Sequence, residues 1–515
     1  MNTARLCLAA LLAPLLTAEI AEAKARFNKV DLSVPGQVFW LDWGDVDGDG
    51  LVDLVVAYGR GIGPEAQRFV GVFFRNPGGF SKEPDLKFQT PPSTAIFDLG
   101  DAIPGGGDEI VYMSRFGVYA QSLAGRRPAN PVQIVRARTA IGPPEEEDFV
   151  RWDFLRSLPG GEAPVLIVPE GGVVELYRRD ETGTWKRWSK VDVPDYAVYD
   201  AETTVYKPGR RGGAGSRPFS LKITTVIPTM TFIDQTGDGK PDLVANYRDR
   251  VAVFPMKSDG TLTSSATYSR WFEILTPEEQ STHDSELTLD VGDLDGDGIA
   301  DVSVSKIGGG LTTLKSETRI YLGKPGGGFG NAPVQTFKEP GFATLSGFHD
   351  LDGDGKVEMV HPYAEVTVLG MSKVLLSSKL TLELRFRRRA AGPKLFEDKP
   401  LQTLEMVFGL DYATGAALRG SPPIFGYDFD GDGRRDALLS AGSEAIELHR
   451  GLPPGGELIF DEDSSATLSA PVSRETYAIP QKTSANSKMD VLVSYVDHPK
   501  MTGRLLLFLN EMSAD

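Results

Sequence analysis

Short apolar runs recur along the whole chain, each bounded by Gly, Pro, Asn or Asp, and none keeps a helical period. The first group sets the pattern. Apolar stretches at Val38–Trp43, Val52–Tyr58, Arg68–Arg75 and Asp85–Thr90 are separated by an Asp-rich loop, a short connection and a Gly-rich hairpin. Alternating and β-branched segments between such turn residues predict four antiparallel strands in a meander. The hairpin signal returns as NPGGF at Asn76, KPGGGFG at Lys324 and LPPGGELIF at Leu452, with weaker forms at Asp180 (DETGTW) and Lys257 (KSDGTL). With 57 Gly and 35 Pro in 515 positions, a helical bundle is excluded.

The Asp-rich loop is the repeat that organises the chain. It reads WGDVDGDGLVDLVVAY from Trp43, IDQTGDGKPDLVANY from Ile233, GDLDGDGIADVSVS from Gly292, HDLDGDGKVEMVHPY from His349 and YDFDGDGRRDALLS from Tyr427. Three degenerate copies fit the same frame. One keeps Asp101 and Glu109, one (from Trp152) keeps only the apolar strand, and the last keeps Asp490. The first motif positions fall at 45, 101, 156, 234, 293, 350, 428 and 482, so five intervals are 54–59 residues and two are 78.

Four-stranded units repeated in this way predict an all-β protein, a β-propeller in which radial closure removes exposed sheet edges. The count gives eight blades, or seven if one degenerate unit is not a blade. The last unit stops after its third strand, Arg504–Asn510, whereas Arg26–Val34 reads as a strand with no unit of its own. Pairing the two would complete the last blade and close the ring.

The loop D-x-D-G-D-G-x-x-D has the chemistry of calcium coordination. Carboxylates at alternate positions converge on one point, the glycines allow the tight backbone, and position 7 offers a carbonyl, which suits a hard cation taking six to eight oxygens. The expected ligands are Asp45, Asp47, Asp49 and Asp53; Asp293, Asp295, Asp297 and Asp301; Asp350, Asp352, Asp354 and Glu358; and Asp428, Asp430, Asp432 and Asp436. A fifth, weaker site is expected from Asp234, Asp238 and Asp242, because Thr236 stands in the third position. An EF-hand begins alike but needs Glu at position 12, where these loops carry Val56, Ala245, Val304, His361 and Leu439.

These units resemble FG-GAP/VCBS repeats, such as those of integrin α-subunit propellers, and the Asp loop with the Gly-rich hairpin carries the resemblance over nearly the whole chain. The resemblance implies Ca2+ held between the first two strands of a blade. It also implies binding of proteins or glycans, with polysaccharide lyase activity in a few relatives. The acid-poor loops of units two, three and eight depart from the pattern and are not expected to hold metal.

Composition narrows the setting. With 71 acidic against 54 basic residues the net charge is −17, which argues against a nucleic-acid partner. Arg5, the apolar run Leu6–Leu16 and Ala21-Glu22-Ala23 read as a secretory signal over 1–23, followed by a single domain over 24–515. Its apolar core is too short to span a bilayer, and no later stretch is long enough, so an exported monomer (secreted, periplasmic or at the cell surface) without a membrane span is expected. The only cysteine, Cys7, lies inside that signal.

Catalytic signals are absent. His283, His349, His361, His449 and His498 show no metalloprotease spacing and read as scattered surface residues; neither G-x-S-x-G nor GxxxxGK[ST] occurs. Asp301-Val302-Ser303-Val304-Ser305 imitates an adhesion-site metal loop, but Asp301 already closes a calcium loop. Arg385–Arg389 reads as a solvated strand end. The long insertions, Pro194–Pro228, Ala364–Ser378 and Phe408–Pro422, fall by strand counting on second-to-third or fourth-to-first connections, as do the smaller Gly59–Gln67 and Lys306–Ser316. All lie opposite the Asp loops, where binding on a rigid scaffold is expected. The function expected is recognition of a protein or glycan. The alternative is an extracellular polysaccharide lyase or hydrolase, for which no base and charge-neutralising pair can be identified.

Overall fold

A computed structural model of the chain describes residues 26–511 apart from 61–66, 142–149, 160–163, 194–195, 201–221, 283–284, 309–314, 341, 344–346, 365–373, 375, 412–416, 473–475, 484–487 and 496–499. The secretory signal, Cys7, His283 and His498 therefore lie outside the described residues.

The four predicted strands of the first unit form one antiparallel sheet in sequence order: β2 (Gln37–Gly44), β3 (Asp53–Arg60), β4 (Gln67–Phe73) and β5 (Leu86–Gln89). Seven further sheets repeat this order, giving eight blades. Blade two begins at Ile96, blade three at Leu155, blade four at Thr229, blade five at Ser285, blade six at Phe342, blade seven at Ile424 and blade eight at Thr476. Blade eight takes its outer strand from the other end of the chain. β1 (Phe27–Ser33) runs antiparallel to Arg504–Asn510, from Phe27 opposite Asn510 to Ser33 opposite Arg504. The closure expected from the unpaired terminal stretch is the one observed, and the count is eight rather than seven.

Second strands are buried on both faces because each is covered by the neighbouring blades. Leu54, Val55, Val56 and Ala57 of β3 are fully enclosed, as are Val165–Val168 and Val491–Val493. This explains why they read as unbroken apolar runs rather than alternating ones. The core is accordingly divided among blade junctions. Leu32, Leu54, Val56, Leu492 and Leu507 seal blades eight and one, and Val244, Val253, Leu289 and Val302 seal blades four and five. Each such enclosed aliphatic side chain contributes about 1.5–3 kcal/mol.

Amides at blade junctions add directional ties. Gln335 accepts from the Phe396 N–H at 2.9 Å and donates to the Phe396 carbonyl at 2.8 Å. Gln402 makes the same clasp on Ile459 and Phe460 one blade further on.

Four sequence readings are corrected. Phe408–Pro422 is not a free connection: the fourth strand of blade six runs on through Gln402–Asp411 and pairs with a fifth, Ala417–Arg419. The two smaller insertions are shorter than read, because β3 extends to Arg60 and the second strand of blade five to Gly308. Arg385–Arg389 is not a solvated end. Arg387 is 2% exposed, and Arg385 and Arg387 share Glu339, each at 3.2 Å, because alternate residues of that strand face the blade junction. Among the histidines, His361 and His449 are buried, not surface residues.

Within Pro194–Pro228 a two-stranded hairpin, Tyr196–Asp200 with Lys222–Val226, links blades three and four. A short helix, α1 (Pro277–Thr282), links blades four and five. Among the described residues no helix is long and apolar enough to cross a membrane.

Candidate metal centres

Each Asp loop is wound by its own carboxylates. Asp45 Oδ1 accepts from the N–H groups of Gly48 (2.9 Å) and Asp49 (3.1 Å), and its Oδ2 from Gly50 at 2.9 Å. Asp47 caps the Asp49 N–H at 3.1 Å, and Asp49 caps Leu51 at 2.9 Å. The same bonds recur from Asp234, Asp293, Asp350 and Asp428 to the first loop glycine. This winding requires a left-handed backbone at both glycines; in the first loop Gly48 has φ 82° and Gly50 φ 85°.

The ninth-position acid acts differently. Asp53 is fully buried, with Oδ2 accepting from Val46 N–H (3.1 Å) inside the loop and Oδ1 from Arg75 N–H (2.7 Å) at the end of β4. Asp242, Asp301 and Asp436 repeat this link to Met256, Gly323 and Gly451. Asp490 in blade eight makes it to Asn510, and Glu109 in blade two keeps the loop half through Ala102 and Ile103. These bonds place the acid loop and the Gly-rich hairpin of a blade on one rim. They also show a role that sequence reasoning missed. The signal was present, since this acid survives in two units that lost most of the others.

Carboxylates converge in four loops: Asp45, Asp47 and Asp53; Asp293, Asp295 and Asp297; Asp350, Asp352 and Glu358; and Asp428, Asp430 and Asp436. In each group one oxygen per residue lies within 4.8 Å of the others. Asp49, Asp301, Asp354 and Asp432 belong to the same loops but fall outside these tight groups. No such group of three forms from Asp234, Asp238 and Asp242 among the described residues, in keeping with Thr236 at the missing position. All donors are oxygens, which fits a hard divalent cation.

The electrostatics call for positive charge. Burial pushes the Asp53 carboxyl up to about 6, and Asp301, Glu358 and Asp436 up to about 7, with neighbouring loop carboxylates adding to the rise. Arginines from neighbouring elements meet part of that demand. Arg126 from blade two reaches Asp47 (2.6 Å) and Asp49 (3.2 Å) of blade one, Arg388 reaches Asp352 at 3.0 Å, and Arg435 reaches Asp350 at 3.3 Å. The Asp293 group carries no such ion pair among the described residues.

An eight-bladed β-propeller with wound acidic loops on one rim is the class these features define. Residues 234–304, from the Asp234 loop through that of Asp293, match the FG-GAP-like repeat family, and the chain as a whole folds as an eight-bladed β-propeller. A similar solved arrangement is the crystal structure of BBS1N in complex with ARL6DN, soaked with mercury, at TM-score 0.36 and 10% identity over 82% of this chain and 96% of that one. No curated protein matches the sequence.

Proposed function

We propose that this protein is an exported, calcium-stabilised propeller that recognises a protein or glycan through the rim opposite its acidic loops. The observation that carries the reading is where the chain departs from four strands per blade. The hairpin Tyr196–Asp200/Lys222–Val226, α1 and the strand Ala417–Arg419 all lie on fourth-to-first connections. In an antiparallel blade those connections lie opposite the first-to-second loops. Loops on a rigid scaffold are where binding residues concentrate, and their length costs little because closure entropy grows logarithmically.

Calcium is assigned from the donor set: oxygen-only groups of three carboxylates, with position-7 carbonyls available, in loops whose acids are held close enough to repel. Export is supported by Arg5, Leu6–Leu16 and Ala21-Glu22-Ala23.

The test is a glycan array and an extracellular-fraction pull-down with the mature protein. A variant with Pro194–Pro228 shortened to a Gly-Ser turn should lose captured ligand while keeping its calcium-dependent melt. Ligand retained by that variant but lost on substituting Asp45 or Asp428, without unfolding, would place recognition on the acidic rim instead.

A further inference from the structure

On the rim opposite the acidic loops, between blades four and five, lies a cavity of about 380 Å3. Its walls come from four segments: the second-to-third turn of blade four (Arg248, Asp249), the end of that blade's outer strand and the residues after it (Trp271 to Leu275), Glu279 of α1, and the entry to blade five (Ser285, Leu287). We infer that this cavity is a binding pocket for a neutral sugar residue, with Trp271 as the stacking platform and Asp249 as the hydroxyl acceptor. The inference rests on the recognition reading above and assigns it a place and a ligand class.

Trp271 closes its strand and is 53% exposed, unusual for a residue whose indole is costly to leave in water. One side of the ring is held by Arg250, which is stacked 4.8 Å from its centroid and 4.1 Å from that of Tyr247, so the platform is fixed before any ligand arrives. Asp249 supplies the polar half. Its Oδ1 is buried without a hydrogen-bond partner. Burial pushes that carboxyl up against the opposing pull of Arg248. An acceptor left unmet costs about 1–3 kcal/mol, and a rotation of the Asp249 carboxyl into the cavity it lines would let a ligand hydroxyl relieve it.

The remaining groups select for charge. Arg248 lines the same cavity, fixed by a 2.9 Å bond to the Ser285 carbonyl, and Glu279 is neutralised by Lys306 at 2.8 Å. With Arg248 at the wall and Arg250 behind the indole a cationic ligand is repelled, and with Asp249 and the exposed Glu273 an anionic one is. A polyol is served by both, offering donors to the carboxylates, acceptors to the guanidinium and an apolar C–H face to the indole. The volume falls in the ordinary range for small-ligand pockets.

The experiment is calorimetric titration of the calcium-loaded mature protein with glucose, galactose, mannose, N-acetylglucosamine, cellobiose and maltose, with tetralysine and tetraglutamate as charged probes. At least one sugar should bind saturably and neither peptide should. Trp271→Ala and Asp249→Asn should each weaken that binding about tenfold, a loss of about 1.4 kcal/mol, with the melt unchanged. Trp40→Ala, at the other exposed tryptophan on blade one, should not affect it. No sugar binding, or tetralysine binding in its place, overturns the assignment. Sugar binding that survives both pocket variants but is lost on shortening Pro194–Pro228 also overturns this pocket, while leaving the recognition rim standing.

Discussion

The backbone N–H of Arg75 donates to Oδ1 of Asp53 at 2.7 Å, tying the end of β4 to the first residue of β3 across the mouth of the acidic loop. The other oxygen of Asp53 holds the loop itself, through Val46. A residue that reads as the last metal ligand is therefore first a part of the fold. Its carboxylate answers two backbone groups that would otherwise be buried and unpaired, and only its remaining lone pairs are left for the neighbouring loop carboxylates' shared site. The same link in blade eight, where no three-acid group forms among the described residues, shows that the bond stands without a metal loop.

That separation gives a clean prediction. Asp490→Ala removes the acceptor for Asn510 N–H (2.7 Å) and Thr483 N–H (3.2 Å), both buried. Unsatisfied buried donors cost about 1–3 kcal/mol each, so a loss of about 2–6 kcal/mol is expected in urea denaturation. The loss should be equal with calcium and with chelator. Asp49→Ala, at an exposed loop position, should change the chelated protein little and the calcium-loaded protein more. Equal effects of the two variants in chelator would remove the structural role assigned to the ninth position.

Stability should also turn with pH, in a direction set by burial. Asp53, Asp301, Glu358 and Asp436 have folded values near 6–7, against about 4 when unfolded. Asp98, buried between blades two and three and outside the acid loops, is likewise pushed up to about 7 by burial. The folded state holds these protons longer, so metal-free stability falls as pH rises through that window. The melting temperature in chelator should be higher at pH 5.5 than at 7.5. On the proposed calcium reading the ion would bind the deprotonated loops, so its stabilisation should grow over the same interval, reaching about 2.7 kcal/mol per site at a hundredfold excess over Kd. A calcium shift that is larger at pH 5.5 would contradict the assignment.

Arg126 sets a further expectation. Its guanidinium lies on Asp47 and Asp49 and over the Phe74 ring at 4.8 Å, where it competes with any cation in the first loop. Exposed ion pairs are worth about 0.2–1 kcal/mol, so Arg126→Ala should tighten calcium at that loop by a few-fold. The Asp293 loop, whose carboxylates form no direct arginine ion pair among the described residues, should fill first in a titration of the parent. Isothermal titration of parent and variant would resolve both points; unchanged or weaker calcium binding in the variant would show that Arg126 supports the loop rather than competing with its ion.

Much of this architecture was legible because its determinants are local. Asp-Gly loops, Gly-rich hairpins and apolar runs fix strand, turn and strand within one unit, and repetition at 54–59 residues converts the unit into a ring. The missing outer strand of blade eight was legible by subtraction. What escaped were contacts between units. Arg126 and Asp47 meet although 79 residues apart, and Gln402 clasps Phe460 across 58. No spacing in the sequence marks such pairs, because the angle between neighbouring blades brings them together. Arg387 was misread for the same reason: a basic run looks solvated until the neighbouring blade supplies Glu339. The extra strand Ala417–Arg419 escaped because fourth strands in the other units stop earlier.

Closure of the ring by β1 carries the last prediction. The strand Arg504–Asn510 is sandwiched, with Leu505, Leu506, Leu507 and Phe508 all nearly inaccessible, and among the described residues its outer edge pairs with β1. That cover consists of the full seven-residue register, a 2.7 Å bond from Val34 N–H to the Gly503 carbonyl, the Asp31–Arg504 pair at 2.6 Å, and the buried Leu32. Deleting Arg26–Val34 removes Leu32 from the junction of blades eight and one, at about 1.5–3 kcal/mol for that side chain alone, and bares an apolar strand edge that can pair with another molecule. The truncated protein should melt well below the parent and elute as dimers or larger species. Appending the same segment after Asp515 through a flexible linker should restore both the melt and the monomer, because the edge needs the strand and not its position in the chain. A truncated protein that stays monomeric and melts like the parent would mean the seam is held by the inter-blade core alone.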